Sequence, residues 1–159
     1  MSLFFYFFFI KSQIFICYTK YMKSIISLLT PKKGTDYLEE GTTLRNALEK
    51  FKVHKYSVVP VVSKDGKYLR TISEGDLLRY VTELANFNMR LSEKISIDQI
   101  ESYRPYRHLS IDASMIEVVS LSLEQNFIPL VDDRGLYIGI IKRKEIIDYL
   151  VENRNLNEK

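Results

Sequence analysis

The chain has 159 residues, 46% of them apolar and 27% charged, a composition that suits one domain, or two small units sharing a core, and excludes a disordered or low-complexity chain. The 23 Lys and Arg against 20 Asp and Glu leave a formal charge of +3, too mild to imply a nucleic-acid partner. One cysteine, Cys17, and two histidines, His54 and His108, exclude an intrachain disulfide framework and leave little for a His-rich metal site.

Residues 1–21 stand apart from the rest. They hold six of the nine phenylalanines: Phe4, Phe5, Phe7, Phe8, Phe9 and Phe15. The apolar run Leu3 to Ile10 stops at Lys11, Ser12 and Gln13, whereas a spanning helix takes about 20 apolar residues. A secretory signal needs a basic residue before such a run and a small-residue cleavage site after it, and neither is present. The favoured reading is a translation start at Met22. A membrane-anchoring segment ranks second and a core-packing extension third. Without Lys11 and Lys20 the net charge falls to +1, so basicity carries almost no functional information.

The remaining chain alternates helix and strand. Ile25, Ile26, Leu28 and Leu29 form a short helical piece before Pro31. Leu44, Ala47, Leu48 and Phe51 recur at helical spacing, with Thr42 or Thr43 as N-cap. Val58-Val59-Pro60-Val61-Val62 reads as a strand, and Pro60 predicts an edge position or an irregular entry. Lys64-Asp65-Gly66 signals a hairpin, Tyr68 to Ser73 a second strand, and Asp76 to Val81 a second helix. A piece with Ile95, Ile97 and Ile100 precedes Pro105. Met115, Val118 and Val119 then restart the helical spacing. Phe127 to Val131, Asp133-Arg134-Gly135, Tyr137 to Ile141 and Lys144 to Val151 repeat strand, turn, strand and helix.

Pro60 and Pro129, Gly66 and Gly135, and Asp76 and Glu145 each lie 69 positions apart. A fixed offset in one structural order means internal duplication. Each unit is too small to bury a core alone, so the two must pack on each other. Ser-Val-Val-Pro-Val-Val, a glycine turn, an apolar strand and Ser73-Glu74-Gly75-Asp76 opening a helix resemble a cystathionine-β-synthase (CBS) motif. Phe-Ile-Pro-Leu-Val-Asp-Asp-Arg-Gly through Gly139-Ile-Ile-Lys-Arg-Lys-Glu145 resembles a second. Together they are similar to a CBS pair, or Bateman module, over residues 22–151.

The expected layout is a leader at 1–21, a first unit at 22–85, a connection at 86–95, a second unit at 96–151 and a polar tail at 152–159. The expected fold class is α/β. It has two CBS-type units of helix, strand, strand and helix, each with an extra short strand completing a three-stranded sheet, packed with pseudo-twofold symmetry.

Ser73-x-x-Asp76 is the leading site candidate. A helix N-terminus offers unpaired N–H groups and a positive dipole end to phosphate. The resemblance implies Ser73 for phosphate and Asp76 for ribose; plain helix capping is the other reading of the same residues. In the second unit Lys142 and Glu145 replace them, with Arg143 and Lys144 alongside. Either that pocket is degenerate, or Lys142 pairs as a point charge with a more anionic ligand than a monophosphate. The resemblance also puts Val58 and Phe127, each two residues before a strand proline, against an adenine. Val59 and Ile128 follow them. Ordinary core packing is the alternative for all four, and Phe127 either stacks on a base or blocks the pocket.

No nucleophile elbow, P-loop or dinucleotide fingerprint is present, and neither Asp132-Asp133 nor Glu39-Glu40 has an acid–base partner. The resemblance therefore implies a cytoplasmic regulatory module and not an enzyme. It would bind AMP, ADP, ATP or cyclic di-AMP as regulatory ligand, with S-adenosylmethionine ranked lower. It would have no cofactor or metal, form a homodimer through its helices and act on a regulated protein. The competing class is a ligand-free dimeric scaffold.

Overall fold

The computed structural model describes residues 24–85 and 87–157; the leader at 1–21 lies outside them. A 3-10 turn at Ile25–Leu28 leads into β1 (Leu29–Pro31). The first unit runs β2 (Leu38–Glu39), α1 (Leu44–His54), β3 (Val58–Val62), β4 (Tyr68–Ser73) and α2 (Glu74–Glu83). A short helix, α3 (Met89–Ser92), and a 3-10 turn at Ile97–Gln99 form the connection. The second unit repeats the order as β5 (Leu109–Ser110), α4 (Met115–Ser122), β6 (Phe127–Val131), β7 (Tyr137–Lys142) and α5 (Arg143–Asn157).

Local chemistry sets these elements. Thr43 caps α1 by accepting from the Asn46 N–H at 3.3 Å, and Leu44, Ala47 and Phe51 form its buried stripe. The helix stops where Lys55 turns left-handed at φ 54°. Ser114 and Glu117 form a reciprocal capping box on α4. Helix α5 continues to Asn157, into the expected polar tail, because no Gly or Pro interrupts it there.

The two sheets differ in size. The first has three strands in the order β2-β3-β4; the second has four, β1-β7-β6-β5. The expected pair of three-stranded sheets is corrected by β1, which crosses to the other unit and pairs antiparallel with β7, Thr30 opposite Ile140. Pro60 also departs from expectation, since β3 is the central strand. Strand β2 pairs only with Val61 and Val62, so Pro60 faces a paired strand on one side alone and its missing N–H breaks no ladder.

The segments that precede the units are exchanged. Ile25 and Leu28 pack into the second core with Met115, Val118 and Ile146, while Ile95, Ile97 and Ile100 pack into the first with Leu44, Phe51 and Leu77. Each core is completed by chain lying before the other unit, which ties two small cores into one cooperative body. The hairpin turns add a reciprocal contact: the Tyr137 N–H donates to the Gly66 carbonyl at 2.9 Å, and the Tyr68 N–H to the Gly135 carbonyl at 3.3 Å. Both glycines are left-handed, at φ 86° and 78°, which the turn demands. Among the described residues no helix is long and apolar enough to cross a membrane.

Candidate functional site

In both units a strand ends at the axis and a helix begins there. The first N–H of α2, on Glu74, donates to the Ser57 carbonyl at 3.0 Å; that of α5, on Arg143, donates to the Asn126 carbonyl at 2.9 Å. Each helix start is thereby held over the entry to its unit's central strand.

Between the units lies a cavity of about 290 Å³, at the small end of the range for ligand sites. Its walls come from both units: Thr35, Asp36, Tyr56, Val58, Val59 and Pro60 from the first, and Asn126, Phe127, Ile140, Lys142, Arg143 and Lys144 from the second. Five residues singled out in the sequence meet here: Val58, Val59, Phe127, Lys142 and Arg143. The structure places the others differently. The Ile128 side chain is fully buried in the second core. Glu145 is half-buried in the first turn of α5 and is not among the lining residues.

Ser73 and Asp76 form a capping box. One Asp76 carboxylate oxygen accepts from the Ser73 N–H at 2.9 Å and from its hydroxyl at 2.7 Å; the other accepts from the Tyr103 N–H at 3.0 Å. Asp76 is 5% exposed. It borders an outer hollow with Arg79, Tyr80, Glu83, Glu101 and Tyr103, where the Arg79 guanidinium lies 4.5 Å from the Tyr103 ring.

The cavity brings the cations Lys142, Arg143 and Lys144 together with the apolar side chains of Val58, Val59, Pro60, Phe127 and Ile140. The buried Nε of Arg143 has no hydrogen-bond partner, and among the described residues neither Arg143 nor Lys142 has a carboxylate partner. Lys144 is bonded to Asp148. Across the cavity, Asp36 is engaged by Lys50 at 3.5 Å and by His54 Nδ1 at 3.4 Å. A hydrogen bond to this carboxylate pushes the Tyr56 hydroxyl above the usual phenol range. The Tyr56 ring stacks on His54 at 5.7 Å. Among the described residues no cluster of His, Cys, Asp and Glu has the makings of a metal site.

The sequence profile of the CBS domain matches the chain twice, over residues 31–83 and 99–152. The chain belongs to the CBS domain family. This CBS pair is 27% identical over 138 residues to a CBS domain-containing protein of Dictyostelium discoideum, covering 82% of this chain and 94% of that one. Its fold is that of CbpB, solved in complex with c-di-AMP, at a TM-score of 0.77 and 19% identity over 93% of this chain and 99% of that one. It is also that of CBSX2, solved in complex with AMP, at a TM-score of 0.64 and 21% identity over 84% and 99%.

In this CBS pair, Gly34, Thr35, Asp36, Tyr56 and Asn126 are cavity residues that sequence reasoning missed. Thr35 and Asp36 lie in an irregular stretch before β2, where no periodicity marks them. Asn126 carried one readable signal: it stands 69 positions after Ser57, and both precede a central strand.

Proposed function

We propose that this CBS pair is a regulatory receptor for an adenine nucleotide, bound in the cavity between its units. The observation that carries the reading is the buried Nε of Arg143, unpartnered on the same wall as Lys142. A buried donor left unsatisfied costs about 1–3 kcal/mol, and turning the Arg143 guanidinium onto a phosphate at the start of α5 relieves it. Val58, Val59, Pro60 and Phe127 supply apolar walls for the base. CbpB and CBSX2, of the same fold, were solved with c-di-AMP and AMP, which supports the ligand class. Because both units line the cavity, a ligand that favours one packing of the units shifts that packing, and the shift is the signal passed to a partner protein in the cytoplasm. Binding without chemical conversion is the whole activity in this reading.

The protein acts as a homodimer. Ile116 on α4 and Leu123, the residue that caps its C-terminal end, are 77% and 82% exposed. The equivalent α1 positions carry Arg45 and Lys52, with an ion pair from Arg45 to Glu49. The apolar face therefore matches a second copy of itself better than the charged face of the first unit.

A thermal-shift panel on the full chain with AMP, ADP, ATP, cyclic di-AMP and S-adenosylmethionine tests the function. Free ligand at 100 times its dissociation constant adds about 2.7 kcal/mol, a readable shift that Arg143→Gln should remove. A flat panel at millimolar ligand rejects the receptor and leaves the scaffold.

A further inference from the structure

The two clefts related by the pseudo-twofold axis are unlike. Leu38 and Leu109 are equivalent, each paired in parallel with a central strand, at Val61 and Leu130. Three residues earlier, Thr35 and Tyr106 are equivalent too. Their contacts agree: the Thr35 hydroxyl meets the Tyr137 hydroxyl at 3.1 Å, and the Tyr106 carbonyl accepts from the Tyr68 hydroxyl at 2.7 Å. Thr35 leaves its cleft open. Tyr106 sets its ring 4.9 Å from that of Phe127, and its N–H donates to the Thr71 hydroxyl at 2.8 Å.

Gln125 stands where the open cleft has Tyr56. It is 5% exposed and bonds the backbone of Arg107 and Phe127 three times. At the helix start of this cleft, both Asp76 oxygens are already occupied by Ser73 and Tyr103. These polar groups are satisfied within the chain, whereas the Arg143 Nε at the start of α5 has no partner.

We propose that each chain binds one nucleotide, in the cavity at Lys142 and Arg143. The Ser73–Asp76 cleft is instead a closed structural joint, and the open site selects two adjoining phosphates. The inference rests on reading the cavity as an adenine-nucleotide site. Lys144 is committed to Asp148 and Asp36 to Lys50, which leaves two adjacent cations, Lys142 and Arg143, to be matched. One phosphate at the helix start satisfies Arg143, and a second reaches Lys142. The fork of Arg143 also sets direction, which a point charge does not.

Titration calorimetry of the full chain with ADP, AMP, adenosine and inorganic pyrophosphate tests this. The expected result is one ADP per chain, bound at least about tenfold tighter than AMP, with adenosine weakest and pyrophosphate binding by itself. Arg143→Gln, with its fold checked by circular dichroism, should erase the preference of ADP over AMP. Two ADP per chain, equal affinity for AMP and ADP, or a preference that survives Arg143→Gln would each overturn it. Pyrophosphate binding without any adenine nucleotide would leave the anion site standing and reject the adenine reading. Silence from every probe rejects both.

Discussion

Arg70 and Gly139 occupy equivalent positions, 69 residues apart, and hold the exchanged segments in opposite ways. At Gly139 the backbone of β1 comes so close that a Cβ would lie 2.2 Å from the Thr30 carbonyl oxygen. At Arg70 a side chain fills that space and reaches the incoming segment instead. Its guanidinium donates to the carbonyls of Ile97 and Ile100 and to the Ser102 hydroxyl. The missing side chain permits a fourth strand in one sheet; the long one replaces a strand with side-chain bonds in the other.

Gly139→Ala should therefore cost more than an ordinary surface change. The new methyl meets backbone, and φ is 150°, so relief requires β1 to leave β7. The expected loss is about 3 kcal/mol or more, read from urea unfolding. Arg70→Ala leaves the Ile97 and Ile100 carbonyls short of a charged donor and should cost about 2–3 kcal/mol. A neutral result for either variant would contradict this account of the exchange.

Asp76→Ala removes half of a capping box and the bond to the Tyr103 N–H. A lost cap costs about 1 kcal/mol and a bond from a buried charged acceptor a similar amount or more, so a total near 2–3 kcal/mol is expected. The same denaturant series reads it, and hydrogen exchange at Tyr103 should quicken.

Tyr137 is 3% exposed, and burial pushes its hydroxyl up to about 12, against a smaller lowering from its bond with Thr35. Burial raises the Tyr68 hydroxyl as well. Both groups stay protonated in the folded protein at pH values where the unfolded chain has begun to lose those protons. Their contribution is fully present below about pH 10 and is lost as pH rises through the folded values. For Tyr137 it amounts to about 3 kcal/mol. Melting temperature should fall between pH 10 and 12, and less steeply in Tyr137→Phe.

Paired charges at the exposed face of α4 and its C-cap, Ile116→Lys with Leu123→Lys, should convert a dimer to a monomer in light scattering. Their melting temperature should hold at monomer concentrations, because neither side chain packs in the core.

The repeat, its strands and its helix starts were legible because their causes are local. A cap such as Thr43 is decided by a residue three positions on, and a stripe such as Leu44, Ala47 and Phe51 by a spacing along one helix. Half of the cavity was legible for the same reason: Val58, Phe127, Lys142 and Arg143 sit at fixed offsets from a strand proline or a helix start. The choice between the clefts was not. Ser73 and Asp76 carried the stronger motif, yet their oxygens and N–H groups bind each other and Tyr103. Whether Tyr106 fills a cleft, or Thr35 leaves one open, depends on which chain crosses the axis and how near it comes. That approach is governed by side-chain volume at Arg70 and Gly139, each facing a segment far off in sequence. Local pattern determines elements and their ends; the space between them is set only once distant segments compete for it.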